Sequence, residues 1–205
     1  KRDGFSDGFA YAVIDETNAE RTYEIGSEDE IVTEWVGGNN NLFGKRFQVL
    51  GGSKGKSLIA QNDIDGIILG LYDNNPQQLD ITGVKSYQGF SSAIINKGAK
   101  VNIKSTKFEY NTAKVSASND GNGGVIKNIK GIVNISDGTT FEKNRAQTNG
   151  GAIFNGVEGT INFQTETDKD INFVENVANG QGNDIFNEGT INIQGNGKIN
   201  VTGGI

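Results

Sequence analysis

The sequence predicts an all-β protein, a right-handed parallel β-helix whose coils each contain three strands. Two motifs favour this fold: one of the form Gly-Gly-Ala-Ile occurs in four related copies, and Phe-x-x-Asn follows the first three of them. The composition agrees, since the 205 residues include 30 glycines but one proline. Self-similarity at a period of 27 to 33 residues is typical of a solenoid, in which each repeat buries its apolar face against its neighbours.

The first motif contains an inward-pointing isoleucine and, two residues later, an asparagine. Its copies read SSAIIN, GGVIKN, GGAIFN and GNDIFN, and their asparagines are spaced by 32, 27 and 32 residues. We expect the isoleucines to point into the core and the asparagines to lie at corners. The position between them also accepts lysine and is therefore expected to face solvent. The isoleucines are Ile94, Ile126, Ile153 and Ile185. The residues between are Ile95, Lys127, Phe154 and Phe186, and the asparagines are Asn96, Asn128, Asn155 and Asn187.

A strand with alternating residues follows each copy of the first motif. The alternation predicts that the apolar residues point inward and the asparagines outward, because successive side chains of a strand lie on opposite faces. The inward residues are Val101, Val133, Ile161 and Ile191, and the outward ones are Asn102, Asn134, Asn162 and Asn192.

The Phe-x-x-Asn motif, present as FEYN, FEKN and FVEN, predicts a stacked aromatic file and a second asparagine file. We expect these asparagines to turn corners in the left-handed conformation and to bond the equivalent amide one coil away. The residues concerned are Phe108, Phe141 and Phe173, with Asn111, Asn144 and Asn176.

The chain divides into a cap and a solenoid. Residues 1–45 are predicted to cap the first coil, with Ser6 starting a short helix near Phe9–Thr17 and a strand at Thr22–Ile25. Residues 46–205 form the coils, with regular repeats over 89–205, and further coils are expected beyond Ile205.

Composition limits the chemistry available to this chain. There is no histidine and no cysteine, so a Ser-His-Asp triad, a Cys-His pair and a histidine metal site are excluded. The net charge of −6 without a basic run excludes nucleic acid as a partner. No cofactor is predicted, and no run approaches the roughly 20 apolar residues of a membrane helix.

Carboxylates are the remaining route to catalysis, because many right-handed β-helices cleave polysaccharides. Such a site needs two or more carboxylates on adjacent coils of one face. The sequence NDIDG at Asn62–Gly66 also has alternating oxygen ligands for calcium, but not a complete binding loop. The acidic candidates are Asp63, Asp65, Asp80, Glu166, Asp168 and Asp170.

A repeated GGAI element followed by Phe-x-x-Asn resembles the repeats of chlamydial polymorphic outer membrane proteins and related autotransporter passengers. The resemblance covers residues 89–205 and implies a secreted β-helical passenger on the surface of a Gram-negative bacterium. Such passengers commonly serve virulence as adhesins, and attach to the outer membrane through a C-terminal barrel, which is expected to lie outside this segment. Only Gly150–Ile153 is a full GGAI, and chlamydial members usually carry cysteine, so the wider group of autotransporter adhesins is favoured.

The predicted function is therefore non-enzymatic adhesion by a rigid stalk, with a host-cell protein or glycan as partner. The alternatives are a carbohydrate-active lyase or hydrolase and a self-associating biofilm protein. The candidate binding face comprises Phe154, Phe186, Lys127, Asn102, Asn134, Asn162 and Asn192.

Overall fold

A computed structural model describes residues 10–14, 20–24, 31–32, 46–51, 57–72, 74–165 and 168–205. These residues form an all-β parallel β-helix of about five turns, which confirms the predicted fold. Among them, no helix has the length and hydrophobicity needed to cross a lipid bilayer. The strands are β1 Ala10–Ile14, β2 Glu20–Glu24, β3 Ile31–Val32, β4 Arg46–Leu50, β5 Leu58–Leu69, β6 Leu71–Tyr72, β7 Asn75–Pro76, β8 Gln78–Thr82, β9 Tyr87–Lys104, β10 Lys107–Glu109, β11 Thr112–Ala113, β12 Ile126–Ser136, β13 Thr140–Glu142, β14 Arg145–Ala146, β15 Ile153–Thr165, β16 Ile171–Val174, β17 Val177–Ala178, β18 Ile185–Asn187, β19 Thr190–Gly195 and β20 Ile199–Val201.

Three parallel ladders connect successive coils. The first joins β5, β9, β12, β15 and β18, and the second joins β4, β8, β9, β12, β15 and β19. The third joins β3, β5, β9, β10, β13, β16 and β20. Strands β9, β12 and β15 are long because each continues from the first ladder into the second, and a register shift between Asn128 and Lys130 marks that corner.

A fourth, two-residue ladder joins β11, β14 and β17, so the regular coils contain one strand more than predicted. Its buried positions hold Ala113, Ala146 and Ala178, which form a small apolar cluster of their own. Each alanine follows a Phe-x-x-Asn asparagine by two residues, which extends that motif to Phe-x-x-Asn-x-Ala.

The core consists of apolar files running along the β-helix axis. The inward isoleucines of the first motif are 0% exposed, as predicted. The phenylalanine file is also confirmed: Phe108 and Phe141 stack with ring centroids 5.3 Å apart, and Phe141 and Phe173 with centroids 4.7 Å apart. Parallel pairing in register brings identical side chains together, so aromatic stacking adds to the burial of apolar area.

Two buried asparagine ladders hold adjacent coils in register. Asn96 donates to Asn128 Oδ1 at 3.0 Å, and Asn128 donates to Asn155 Oδ1 at 2.8 Å. In the second ladder Asn111 donates to Asn144 Oδ1 at 3.1 Å, which confirms the predicted bonding between equivalent amides. These bonds, together with bonds from the same amides to backbone carbonyls, satisfy the buried side chains.

The predicted left-handed conformation of these asparagines is wrong. In the Phe-x-x-Asn corners the positive φ belongs to the preceding residue, Tyr110, Lys143 or Glu175, at 52°, 53° and 53°. This arrangement turns the preceding side chain outward and leaves the asparagine amide inside, where it can bond the next coil.

The glycines of the GGAI motif have two separate structural roles. Gly150 has φ of +67°, and a Cβ there would lie 2.2 Å from the carbonyl oxygen of Ile153. Gly151 has no room for a side chain either, because a Cβ would lie 2.1 Å from the carbonyl oxygen of Asn183 in the next coil. The motif therefore permits a tight turn and a close approach of backbones.

The predicted helix near Phe9–Thr17 is wrong for residues 10–14, which form β1. This strand pairs antiparallel with β2 and with β4. The strand predicted at Thr22 is confirmed up to Glu24, whereas Ser6 and Ile25 lie outside the described residues. The cap over residues 1–45 stays a prediction.

Candidate functional site

The predicted binding face is less exposed than its sequence pattern indicates. Ile95 is 4% exposed and Lys127 is 9% exposed, so the expectation that this position faces solvent is wrong in both coils. The Nζ of Lys127 lies 2.8 Å from Oδ1 of Asp120. A lysine can bury its aliphatic stem while its ammonium group reaches a partner near the surface. A lysine in the motif therefore does not indicate that this position faces solvent.

A long connection, residues 114–125 between β11 and β12, folds over this part of the face. Besides the Asp120 ion pair, Ser118 donates to Oδ2 of Asp65 at 2.8 Å, and Asn119 donates to Oγ of Ser92 at 3.2 Å. The equivalent connection in the next coil spans only residues 147–152. The shortening from 32 to 27 residues between the motif asparagines reflects this difference in connection length.

Phe154 and Phe186 are both half-buried and stack on each other. Their ring centroids lie 5.4 Å apart with an interplanar angle of 15°. Their partial exposure leaves some ring surface for a partner, so their role in binding stays a prediction.

The outer asparagines form a third amide ladder. Asn192 donates to Asn162 at 2.9 Å, Asn162 to Asn134 at 2.7 Å, and Asn134 to Asn102 at 2.7 Å. The ladder ends where Asn102 donates to the carboxylate of Asp80 at 2.6 Å. Hydrogen bonds within the ladder therefore use part of the bonding capacity of these amides, and their contact with a ligand stays a prediction.

The described candidate carboxylates Asp65, Asp80 and Asp170 are bonded to different partners. Asp65 and Asp80 accept the bonds described above, and Asp170 accepts from Asn200 at 3.2 Å. The side chain of Asp63 and residue Glu166 lie outside the described part of the molecule, and Asp168 is exposed. Residues 62–66 belong to β5 and do not form a loop. Among the described residues no three acidic side chains are placed to hold a metal ion.

A groove at the corner between the third and fourth ladders is a candidate site that the sequence did not predict. We call it the corner groove; its volume is about 330 Å³. The left-handed residues of three successive coils line one side, and the residues directly after the motif asparagines line the other. These residues are Tyr110, Lys143 and Glu175, and Thr112, Arg145 and Val177.

Ion pairs organise the charged side of this corner. Lys107 binds Glu109 at 2.7 Å and Glu142 at 3.0 Å. The hydrogen bond from Lys107 holds the pKa of Glu142 below its ordinary value, and Glu109 and Glu142 raise the pKa of Lys107. Lys143 lies 3.3 Å from Glu142, and this contact raises the pKa of the lysine.

The aromatic ring of Tyr110 and the guanidinium group of Arg145 lie at the same corner. The Nζ of Lys143 lies 5.9 Å from the centre of the Tyr110 ring, which is within the range of a cation–π contact. Tyr110 is 52% exposed. Arg145 is exposed, and among the described residues its side chain has no ion-pair partner. The groove therefore presents an aromatic surface, hydrogen-bonding groups and an unpaired cation.

The sequence did contain a signal for the corner groove. Within Phe-x-x-Asn-x-Ala the phenylalanine, asparagine and alanine repeat, whereas the residues before and after the asparagine change from coil to coil. The strictly repeated positions form the core, and the variable positions are the ones that reach the surface.

Comparison of the chain with protein-family models, with curated proteins and with solved structures found no match. The resemblance of its repeats to autotransporter passengers therefore stays a prediction.

Proposed function

We propose that this chain is a passenger segment of a Gram-negative surface adhesin, carried outside the cell as an autotransporter passenger. The β-helix acts as a rigid stalk and presents variable side chains to a host-cell protein or glycan. Contacts repeated along the stalk add up, because each further contact forms at a high effective concentration once the first is made.

One observation carries this proposal: the repeated residues of Phe-x-x-Asn-x-Ala are buried, whereas the residues on either side of the asparagine line the corner groove and vary. Phe141 and Asn144 are 0% and 1% exposed and bond or stack with both neighbouring coils. Lys143 and Arg145, on either side of Asn144, reach the groove. This division suits a scaffold that holds different contact groups at equivalent places on successive coils.

The arrangement of carboxylates supports adhesion over the alternative of a carbohydrate-active enzyme. Glu109 and Glu142 lie on adjacent coils, but Lys107 binds both. A general acid in a glycosidase needs a raised pKa, whereas the hydrogen bond from Lys107 lowers the pKa of Glu142. Glu142 therefore lacks the raised pKa that a general acid needs.

A binding assay on intact host cells tests the proposal. The fluorescently labelled chain is expected to bind epithelial cells or a glycan array saturably. The double variant Phe154→Ala/Phe186→Ala is expected to bind at least threefold more weakly, because it removes the stacked rings. Lys85→Ala, a change of an exposed lysine elsewhere, is the matched control and should bind like the unchanged chain.

Other outcomes would replace the proposal. Absence of saturable binding to host cells and glycans contradicts an adhesin. Release of reducing ends or unsaturated products from polysaccharides supports the enzyme instead. Concentration-dependent growth in light scattering, without binding to cells, supports the self-associating biofilm protein.

A further inference from the structure

We propose that the corner groove binds the carboxylate of an acidic sugar, a uronic or sialic acid residue, with Arg145 as the anion-binding group. The inference deepens the proposed function and rests on it, because it names the class of ligand that the stalk would hold. It concerns a different part of the surface from the stacked pair of Phe154 and Phe186.

The charge balance of the groove points to Arg145. The cations beside it already have acidic partners: Lys107 binds Glu109 and Glu142, and Lys143 lies between Glu142 and Glu175, at 3.3 and 3.9 Å. In contrast, the guanidinium group of Arg145 has no carboxylate partner among the described residues. A planar guanidinium can bind a carboxylate through two parallel hydrogen bonds.

The backbone holds Arg145 in place at the groove. Its amide donates to the carbonyl of Asn111 at 2.8 Å, and β14 is paired on both sides, with β11 and β17. The rigid backbone reduces the conformational entropy lost when a ligand binds.

The remaining groove residues suit a sugar ring. The exposed Tyr110 offers an apolar surface for the ring, and Thr112 and Glu175 offer hydrogen-bond partners for its hydroxyl groups. The volume of about 330 Å³ lies at the small end of the range for small-molecule sites. This size corresponds to one or two sugar units.

The pairing of the fourth ladder favours a sugar over an acidic peptide. An extended peptide commonly binds by adding a strand to a free sheet edge. At the groove β14 lies between β11 and β17 and has no free edge. A ligand here must bind through side chains, as a sugar does.

The test compares two probes that differ only at the acidic group, methyl β-D-glucuronide and methyl β-D-glucoside. The whole ¹⁵N-labelled chain is titrated with each and followed by heteronuclear NMR. The glucuronide is expected to shift the amide signals of Tyr110, Arg145 and Val177, with a dissociation constant of about 1 mM and at least tenfold tighter binding than the glucoside. An acidic tripeptide, Gly-Glu-Gly amide, serves as the peptide probe and should bind at least tenfold more weakly than the glucuronide.

Two variants separate the role of Arg145 from the fold. Arg145→Gln should remove the preference for the glucuronide and leave the other amide signals in place, which shows that the chain is folded. Lys130→Gln, on an exposed lysine at another corner, should change neither affinity. Equal binding of the two glycosides, a glucuronide preference that survives Arg145→Gln, signal shifts confined to another face, or tripeptide binding as tight as the glucuronide would each overturn the assignment. Saturable cell binding by the unchanged chain, together with no binding of the glucuronide, would reject this site and leave the proposed adhesin standing.

Discussion

Asn144 makes two hydrogen bonds to the same oxygen atom of Asn176, one coil further along. Its backbone nitrogen and its Nδ2 each lie 3.0 Å from Oδ1 of Asn176. Its own Oδ1 accepts the equivalent two bonds from Asn111, both at 3.1 Å. Asn144 therefore joins three successive coils through one side chain.

Replacing Asn144 by alanine should lower the free energy of unfolding by about 3 kcal/mol, because the buried backbone N–H of Asn111 loses its acceptor and the amide bonds from Asn144 to Phe108 and Asn176 are lost. Urea denaturation measures the change. Asn134→Ala is the matched control: Asn134 belongs to the outer ladder and is only partly buried, and its two ladder bonds, donated to Asn102 and accepted from Asn162, leave groups that water can reach. Its loss should cost about 1 kcal/mol. Equal costs for the two variants would contradict the assigned importance of the inner ladder.

Gly150→Ala should destabilise the protein far more than Gly83→Ala. The two glycines have nearly equal φ values, +67° and +69°. A Cβ at Gly150 meets the carbonyl oxygen of Ile153 at 2.2 Å, whereas a Cβ at Gly83 meets nothing within 4 Å. Gly83→Ala should therefore cost only the conformational strain, about 1 kcal/mol. Thermal melts of both variants provide the measurement, and indistinguishable midpoints would show that the turn at Gly150 relaxes.

Lys127→Asp should loosen the long connection, residues 114–125. It places a carboxylate beside Asp120, where Lys127 now forms a 2.8 Å ion pair. Hydrogen exchange of the amides in residues 114–122 should become at least tenfold faster. Lys127→Met keeps an apolar stem of similar length and should have a smaller effect, because Asp120 is half-exposed and can be solvated. Unchanged exchange in Lys127→Asp would show that the connection does not depend on this ion pair.

The corner that carries Glu142 should make stability depend on pH in the acidic range. The hydrogen bond from Lys107 holds the pKa of Glu142 below 4.5 in the folded protein. The stabilisation from this carboxylate is therefore fully present above about pH 4.5, and it is lost as the pH falls through the lower pKa of the folded state. Glu142→Gln should therefore flatten the decline of the thermal midpoint between about pH 5 and pH 2. Lys107→Met should flatten it in the same way, and an unaltered decline in both variants would contradict the assignment.

The architecture was predictable because it depends on repetition. In a parallel β-helix the residue above and below each side chain is its own equivalent in the next coil, so alternation and spacing identify the core. Phe141 and Asn144 could be assigned from the sequence in this way. The fourth ladder was missed because a single buried alanine per coil gives almost no apolar signal.

The sequence by itself determined the coil period, the inward files and the asparagine ladders, because all three arise from contacts between equivalent residues. Only the tertiary structure decided which residues reach the surface. Lys127 is covered by residues 114–125, a connection that is much longer than the equivalent one in the next coil. Tyr110, Lys143 and Arg145 reach one groove because the residue before each motif asparagine has a positive φ. Such contacts join residues that are not equivalent in the repeat, so no periodic pattern records them.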